Sequence, residues 1–238
     1  MIERSIGRTR IVFTDRHDGA SAGPYASRNL ADHVGDAPAA VAQNRARLGE
    51  ELDIAPASWR WLRQVHGAQV AEADRETAPP VAPEADAAIA TTAGVALTVL
   101  VADCGPVALA CGDAVGVVHA GWRGLESGVV GAAVDALHRV SAGPVRAVLG
   151  PCIHADHYEF GEEELARLGA RFGDEVCATT KTGRPAFDLP AAVRVALGRA
   201  GVDELDDVDV CTACSPDHFS HRRDGVTGRQ ALVAVRGR

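Results

Sequence analysis

Val101–Gly124, VADCGPVALACGDAVGVVHAGWRG, decides how this chain folds. Two apolar runs of strand type flank Gly112-Asp113-Ala114, a compact turn, so the stretch predicts an antiparallel hairpin. Pairing Cys111 with Val115 sets His119 opposite Val107. Cys104 then lies about three residues further along, roughly 10 Å at about 3.4 Å per residue. Gly105-Pro106 should bend the strand there, because proline brings no ladder donor and glycine permits a kink. A thiol and an imidazole are thereby delivered to the same end of one hairpin.

Outward from the hairpin, strand patterns fit Thr9–Thr14, Trp59–Val65, Val95–Ala102, Val145–Leu149, Val208–Cys211 and Ala231–Val235. Helical patterns fit Ala39–Leu52, Leu125–Val140, Glu162–Phe172 and Leu189–Ala200. Asp36 and Asp188 are expected N-caps, with Pro38 and Pro190 early in the helices that follow. Strands and helices mix without a strict βαβ rhythm. The expected class is therefore α/β (α+β), one layered domain over 1–238 with mixed β-sheets. Thr77–Glu84, TAPPVAPE, reads as an exposed loop rather than a linker.

The 238 residues are 47% apolar and only 4% aromatic, so the core is built from small aliphatics. A formal charge of −8 argues against nucleic-acid binding and leaves room for a local arginine cluster around a small anion. The N-terminus lacks a signal-peptide apolar region, and no run has the length of a membrane span. The expectation is a cytoplasmic monomer that meets no membrane. Its six cysteines stay reduced and act as core residues, ligands or nucleophiles.

Cys104 and His119 admit three readings from the hairpin alone. They are core residues; or a nucleophilic Cys-His pair, with imidazole activating the thiolate; or two ligands of a metal site completed elsewhere. Asp103, the Gly105-Pro106 distortion and the Gly-flanked Arg123 count against the first. A third ligand would best come from His66 in RQVHG, another histidine at a strand end beside glycine. The turn at Gly121–Gly124, before a helix expected at Leu125, could hold an anion through its amides and Arg123.

Two other metal patterns are weaker. His157-Tyr158-Glu159 with Cys211-Thr212-Ala213-Cys214 imitates the H-x-E…C-x-x-C signature of zinc deaminases, but Val210 replaces the proline before the first cysteine. His154/His157 and His218/His221 are H-x-x-H pairs in polar loops. With no H-x-H pair and Met1 the sole methionine, a blue-copper centre has little support. Ser21–Gly35 and Ser215–Arg229 are polar, Gly-containing loops. Either could be surface or ligand-binding, the second with Arg222, Arg223 and Arg229.

The motifs RQVHG, ADCGPV, GVVHAGWRG, LGPCI…YEFGEE, FSHRRDGVTGR and GPYASRNLADHVGD, in that family's order and spanning nearly the whole chain, resemble the YfiH/YlmD family. It is also called the polyphenol oxidase or laccase-domain family and includes the mammalian FAMIN-type purine enzymes. The resemblance implies a layered fold like that of cytotoxic necrotizing factor and a zinc site at His66, Cys104 and His119. Copper is the weaker alternative.

The implied activity is zinc-dependent purine nucleoside chemistry: phosphorolysis of adenosine, inosine and methylthioadenosine, with adenosine deamination. In that reading His66, Cys104, His119 and Asp103 are catalytic, Asp103 moving protons or orienting a ligand imidazole. Arg123, Gln64, Asn44 and Arg45 are substrate contacts, although for Arg45 a solvated helix face competes. Some relatives instead edit cell-wall precursors carrying Ser in place of Ala. That gives the alternative of a Cys-His amidase with Cys104 as nucleophile and His119 as base. A non-enzymatic metal-binding protein is the third reading. His154 and His221 stand where many relatives have Gly and Tyr.

Overall fold

The computed structural model describes residues 1–74 and 81–237; the first four residues of the Pro-rich Thr77–Glu84 stretch lie outside them. The chain opens with β1 (Ile2–Ile6) and β2 (Thr9–Phe13), followed by α1 (Pro38–Leu52), β3 (Trp59–Arg60), β4 (Val70–Glu72), β5 (Ala87–Ala90) and β6 (Ala96–Val101). The hairpin is β7 (Gly105–Cys111) and β8 (Ala114–Ala120); α2 (Trp122–Ser127), α3 (Val129–Val140) and β9 (Arg146–Leu149) come next. Then follow α4 (Glu162–Phe172), β10 (Cys177–Thr179), β11 (Pro185–Phe187), α5 (Leu189–Arg199), β12 (Glu204–Asp207), α6 (His221–Asp224) and β13 (Gln230–Arg236).

Two mixed sheets carry the fold, in the orders β1-β2-β13-β6-β3 and β12-β9-β7-β8-β5-β4, beside a small β10-β11 ribbon. Most neighbours run antiparallel; β3-β6, β4-β5 and β12-β9 are parallel. Side-chain alternation along the strands sorts the core into layers. Ile11, Phe13, Leu97, Val99 and Leu232 of the first sheet meet Ala88, Ala108, Val115, Val117 and Val148 of the second. The outer face of the first sheet, through Val12, Ala96, Leu100 and Val233, packs on Leu48 and Leu52 of α1. The outer face of the second packs on α2–α5 through Val107, Leu109, Val118, Val134, Leu168 and Val193. The order is helix, sheet, sheet, helices. Every residue of β6, β7 and β8 is buried, which explains why those runs are continuously apolar rather than alternating.

The small-aliphatic core leaves little slack between the layers. A Cβ on Gly150 would sit 2.1 Å from the ring of buried Phe13. Gly150→Ala is therefore expected to destabilise the fold by at least about 1–3 kcal/mol, the usual range for overpacking. Urea denaturation measures this as a fall in midpoint at unchanged slope.

The hairpin forms with a register one residue away from the expected one. Its turn holds only Gly112 and Asp113, with Gly112 at φ +52°. Cys111 faces Ala114, and His119 faces Pro106 rather than Val107. The shift brings His119 one step nearer Cys104. Nor does Gly105-Pro106 break the ladder; both residues pair within β7, and the kink falls at Asp103, at φ +96°.

The other differences are local. Leu125–Val140 is two helices, separated at Gly128 in the left-handed region, and α2 starts three residues earlier than expected. Arg123 therefore sits in the first turn of α2. Asp188 caps α5 through the Ala191 N–H at 2.9 Å, whereas Asp36 caps no helix and accepts from the adjacent Ala37 N–H and from Asn29 Nδ2. Trp59–Val65 forms a strand only over Trp59–Arg60, followed by a lone parallel bridge from Arg63 to Glu84. The strand expected at Val208–Cys211 forms instead at Glu204–Asp207, which pairs parallel with β9, and Cys211 keeps a lone bridge to Cys152. No helix among the described residues is long and apolar enough to cross a membrane.

Candidate metal centre and its arginine-lined cavity

Cys104, His119 and Asp86 reach one place because of strand parity. In β8, Val115 and Val117 face the first sheet, so His119 faces the same way; by the same alternation Cys104 follows Ala108, and Asp86 follows Ala88. Continuing the β5-β8 register sets Asp86 opposite His119, and the His119 N–H donates to the Asp86 carbonyl at 2.7 Å. All three side chains stand at one end of the interface between the sheets. His66 arrives from the loop after β3, with its backbone in the left-handed region at φ +60°.

Asp86 holds that loop. Its carboxylate is fully buried and accepts the Val65, His66 and Gly67 N–H groups at 3.1, 2.9 and 2.7 Å. It also bonds His119 Nδ1 at 2.8 Å, so His119 presents Nε2 to the cluster. Burial works against the ionised carboxyl. His119 and the backbone amides outweigh it and hold Asp86 below its ordinary value.

One ligand atom from each of His66, Cys104 and His119 lies within 4.8 Å of the other two, and the imidazoles meet edge to face. Burial alone would push the Cys104 thiol up. The facing His119 and His66 instead pull it down to about 6. His119, which burial would lower, is raised to about 9 by the Cys104 sulfur and Asp86. The cluster therefore favours a thiolate, the form that ligates a metal. A thiolate nucleophile with His119 as base and Asp86 as orienting group would need no second imidazole. A second imidazole, His66, within reach of the same sulfur suits a ligand set as well.

Gly121 makes room for the cluster. A Cβ there would lie 3.0 Å from Cys104 Sγ and 3.1 Å from His66 Cδ2. Its backbone, φ −76° and ψ 161°, is open to any residue, so the requirement is for space alone. Gly121→Ala is expected to leave the unfolding midpoint within about 1 kcal/mol of the parent. Metal affinity should fall by about 10–100-fold, as when ligand orientation is disturbed. Competition against a chromophoric chelator reads the second quantity, and unchanged affinity would show that the three ligands tolerate displacement.

The cluster opens into a cavity of about 390 Å³, within the range of small-molecule sites. Arg123, Arg222 and Arg229 line it, and none of them makes an ion pair among the described residues. Arg123 lies over the Trp122 ring at 4.3 Å with no hydrogen-bond partner among the described residues. Arg222 lies over the Tyr158 ring and donates to the Glu159 carbonyl; Arg229 donates to the Thr227 and Gly228 carbonyls. A local positive wall thus stands in a chain of net negative charge.

Asp103 also lines the cavity, but both its oxygens are occupied. Oδ1 accepts from Thr212 Oγ1 and Oδ2 from the Arg222 N–H, each at 2.6 Å. The carboxylate that bonds the His119 ring is Asp86, not Asp103. Gln64 lines the cavity while clamping Leu100 through both ends of its amide. Asn44, expected as a substrate contact, lies outside the cavity lining: it is buried, and its amide bonds Ala20, Ser21, Ser27 and Asn29. Arg45 lies over Trp61 at 4.2 Å in an adjoining groove, outside the cavity lining.

The two loops contribute unequally. Ser21–Gly35 supplies His33 to the lining; Ser215–Arg229 supplies His221, Arg222 and Arg229. Arg223 is spent instead on the Ser215 and His218 carbonyls and on Asp224. The deaminase-like set does not assemble. His157 meets Lys181, Glu159 pairs with Arg184, and the Cys211 sulfur accepts the His154 N–H. Among the described residues, His66, Cys104 and His119 are the one such group placed to hold a metal.

A protein family described as multi-copper polyphenol oxidoreductase laccase matches residues 10–236. The chain belongs to the YfiH/YlmD family. The YfiH/YlmD fold is shared with YlmD of Geobacillus stearothermophilus, at TM-score 0.88 and 31% identity over 98% of this chain and 93% of that one. It is shared equally with YfiH of Bacillus licheniformis, at TM-score 0.87 and 27% identity over 95% and 92%. A Streptomyces coelicolor protein named purine nucleoside phosphorylase is 44% identical over 92% of both chains. A Mycobacterium tuberculosis protein of the same name is 40% identical over 95% of this chain and 91% of its own. The layered α/β class expected from the sequence is that of these YfiH/YlmD structures.

Proposed function

We propose that this protein is a zinc-dependent purine nucleoside phosphorylase acting on adenosine, inosine and methylthioadenosine, and that it also deaminates adenosine. The observation that carries the reading is one cavity holding a His66-Cys104-His119 donor set beside three arginines without carboxylate partners among the described residues. The names of relatives 40–44% identical over nearly their whole length support the reaction class.

The donor set suits zinc, which takes thiolate and imidazole and keeps an open position at catalytic sites. A blue-copper site has the same two imidazoles and thiolate but adds a weak axial ligand. The sole methionine, Met1, lies against Arg28, and the Gln64 amide is committed to Leu100. When bound, the metal would act as a Lewis acid towards substrate oxygen or water.

The remaining work falls to the chain itself. Arg123, with its donors unspent, would take phosphate, and Arg222 and Arg229 would share its charge as it approaches the ribose anomeric carbon. Asp103 holds the Arg222 backbone in place, and Gln64 fixes the cavity wall at Leu100. Incubation of metal-loaded protein with inosine and phosphate should give hypoxanthine and ribose 1-phosphate. Cleavage that ignores phosphate, or no cleavage across a nucleoside panel, would sink the proposal.

A further inference from the structure

Phosphorolysis needs a proton for the departing purine, and the cavity offers few groups to deliver it. His66, Cys104 and His119 are ligands in the reading above, on which this inference rests. Both oxygens of Asp103 already accept hydrogen bonds. The Tyr158 phenol is pushed well up by burial and is too weak an acid. Two imidazoles remain in the lining, His33 and His221. His33 is highly exposed beside Asp32 and borders the neighbouring groove as well.

His221 is held in one orientation. Its Nδ1 lies 2.7 Å from the Gly225 carbonyl, which can only accept, so the proton is on Nδ1 and Nε2 keeps its lone pair. The Gly225 N–H returns a bond to the His221 carbonyl at 2.8 Å, closing a reciprocal clamp. Gly225 sits at φ +68°, a conformation glycine adopts without cost, and this aims its carbonyl at the ring. Next to it, the Asp103 bond to the Arg222 N–H pins the start of α6 to the cavity wall. The side chain is also exposed, so Nε2 can exchange protons with solvent.

We propose that His221 is the catalytic acid that protonates N7 of the leaving purine. Nε2 carries a proton taken from solvent and hydrogen-bonds N7. As the C1′–N9 bond breaks, its electron pair goes into the base and the proton passes to N7. A phosphate oxygen forms the new bond to C1′ and gives up its own proton to solvent, so the step releases purine and ribose 1-phosphate in balance. His221 ends neutral, with Nδ1–H still on Gly225.

The test compares inosine with 7-methylinosine, whose quaternised N7 leaves without needing a proton. In His221→Ala, the ratio of kcat for inosine to kcat for 7-methylinosine should fall by about 10²-fold or more, the usual contribution of a general acid. His221→Gln, whose amide can still donate to the Gly225 carbonyl, should show the same fall with parental metal content and melting temperature. Equal losses on both substrates, or an unchanged inosine rate, would overturn the assignment while leaving the phosphorylase reading intact. Failure of the parent protein to cleave either nucleoside would overturn both.

Discussion

Cys104→Ala is expected to lose stoichiometric metal and nucleoside cleavage together, with little change in fold. The residue lies before β7 rather than inside the packed interior of the sheet, and its sulfur is bonded by His119 and His66. Removing it deletes the one anionic donor of the set. The effect should exceed the about 10–100-fold loss in metal affinity or activity seen when only an outer partner of a ligand is removed. His119→Ala should match it, because Asp86 would then hold no imidazole. Metal analysis after gel filtration and a phosphorolysis assay check both variants. A metal-free Cys104→Ala protein with full activity would contradict the site, and a metal-replete one would show the ligands lie elsewhere. Cys214→Ala, at an exposed thiol outside the cavity, should keep its metal.

Asp86→Ala carries the second large effect. This carboxylate is fully buried and takes four hydrogen bonds: three successive amides of the 65–67 loop and the ring of His119. Truncation removes the acceptor of three partly buried amides and of the buried His119 ring. Breaking one buried charged pair costs about 3–5 kcal/mol, and a loss of that order is expected in denaturant unfolding. The same change frees the His119 ring and the His66 backbone, so metal affinity should drop by about 10–100-fold. Asp86→Asn separates the effects. It keeps the shape and one acceptor oxygen, so more stability than metal affinity should survive. Parental metal affinity in Asp86→Asn would mean that the ligands are positioned without this carboxylate.

Asp86 shows what sequence reading lacked. In PEADAAIA it is one acidic residue before an apolar run, and nothing local distinguishes it from a strand-capping aspartate. Its meaning comes from the β5-β8 register, which spans over thirty residues and sets it opposite His119. Asp103, adjacent to Cys104, was the nearer carboxylate in sequence. The left-handed backbone at Asp103 turns its side chain towards Thr212 and Arg222 instead. Proximity along the chain was a poor guide once the backbone reversed.

The layered α/β class and the delivery of Cys104 and His119 to one hairpin end were legible because burial on both faces writes continuous apolar runs. The one-residue register error came from the turn, where Gly112-Asp113 suffices without Ala114. Such a slip flips side-chain parity, and here it decided how close the two ligands lie. The short edge strands β1, β4 and β12 escaped the pattern because none of their residues is fully buried. Asn44 and Arg45 illustrate a different gap. A polar residue inside a helix can serve the cavity or the scaffold, and only the positions of the 19–30 loop distinguish these.

X-ray absorption at the metal edge, on protein purified with its native metal, tests the central claim most directly. The account predicts zinc with one sulfur scatterer at about 2.3 Å and two imidazole nitrogens at about 2.0–2.1 Å, with the sulfur contribution lost in Cys104→Ala. A zinc environment without sulfur, or one still containing sulfur in Cys104→Ala, would contradict it.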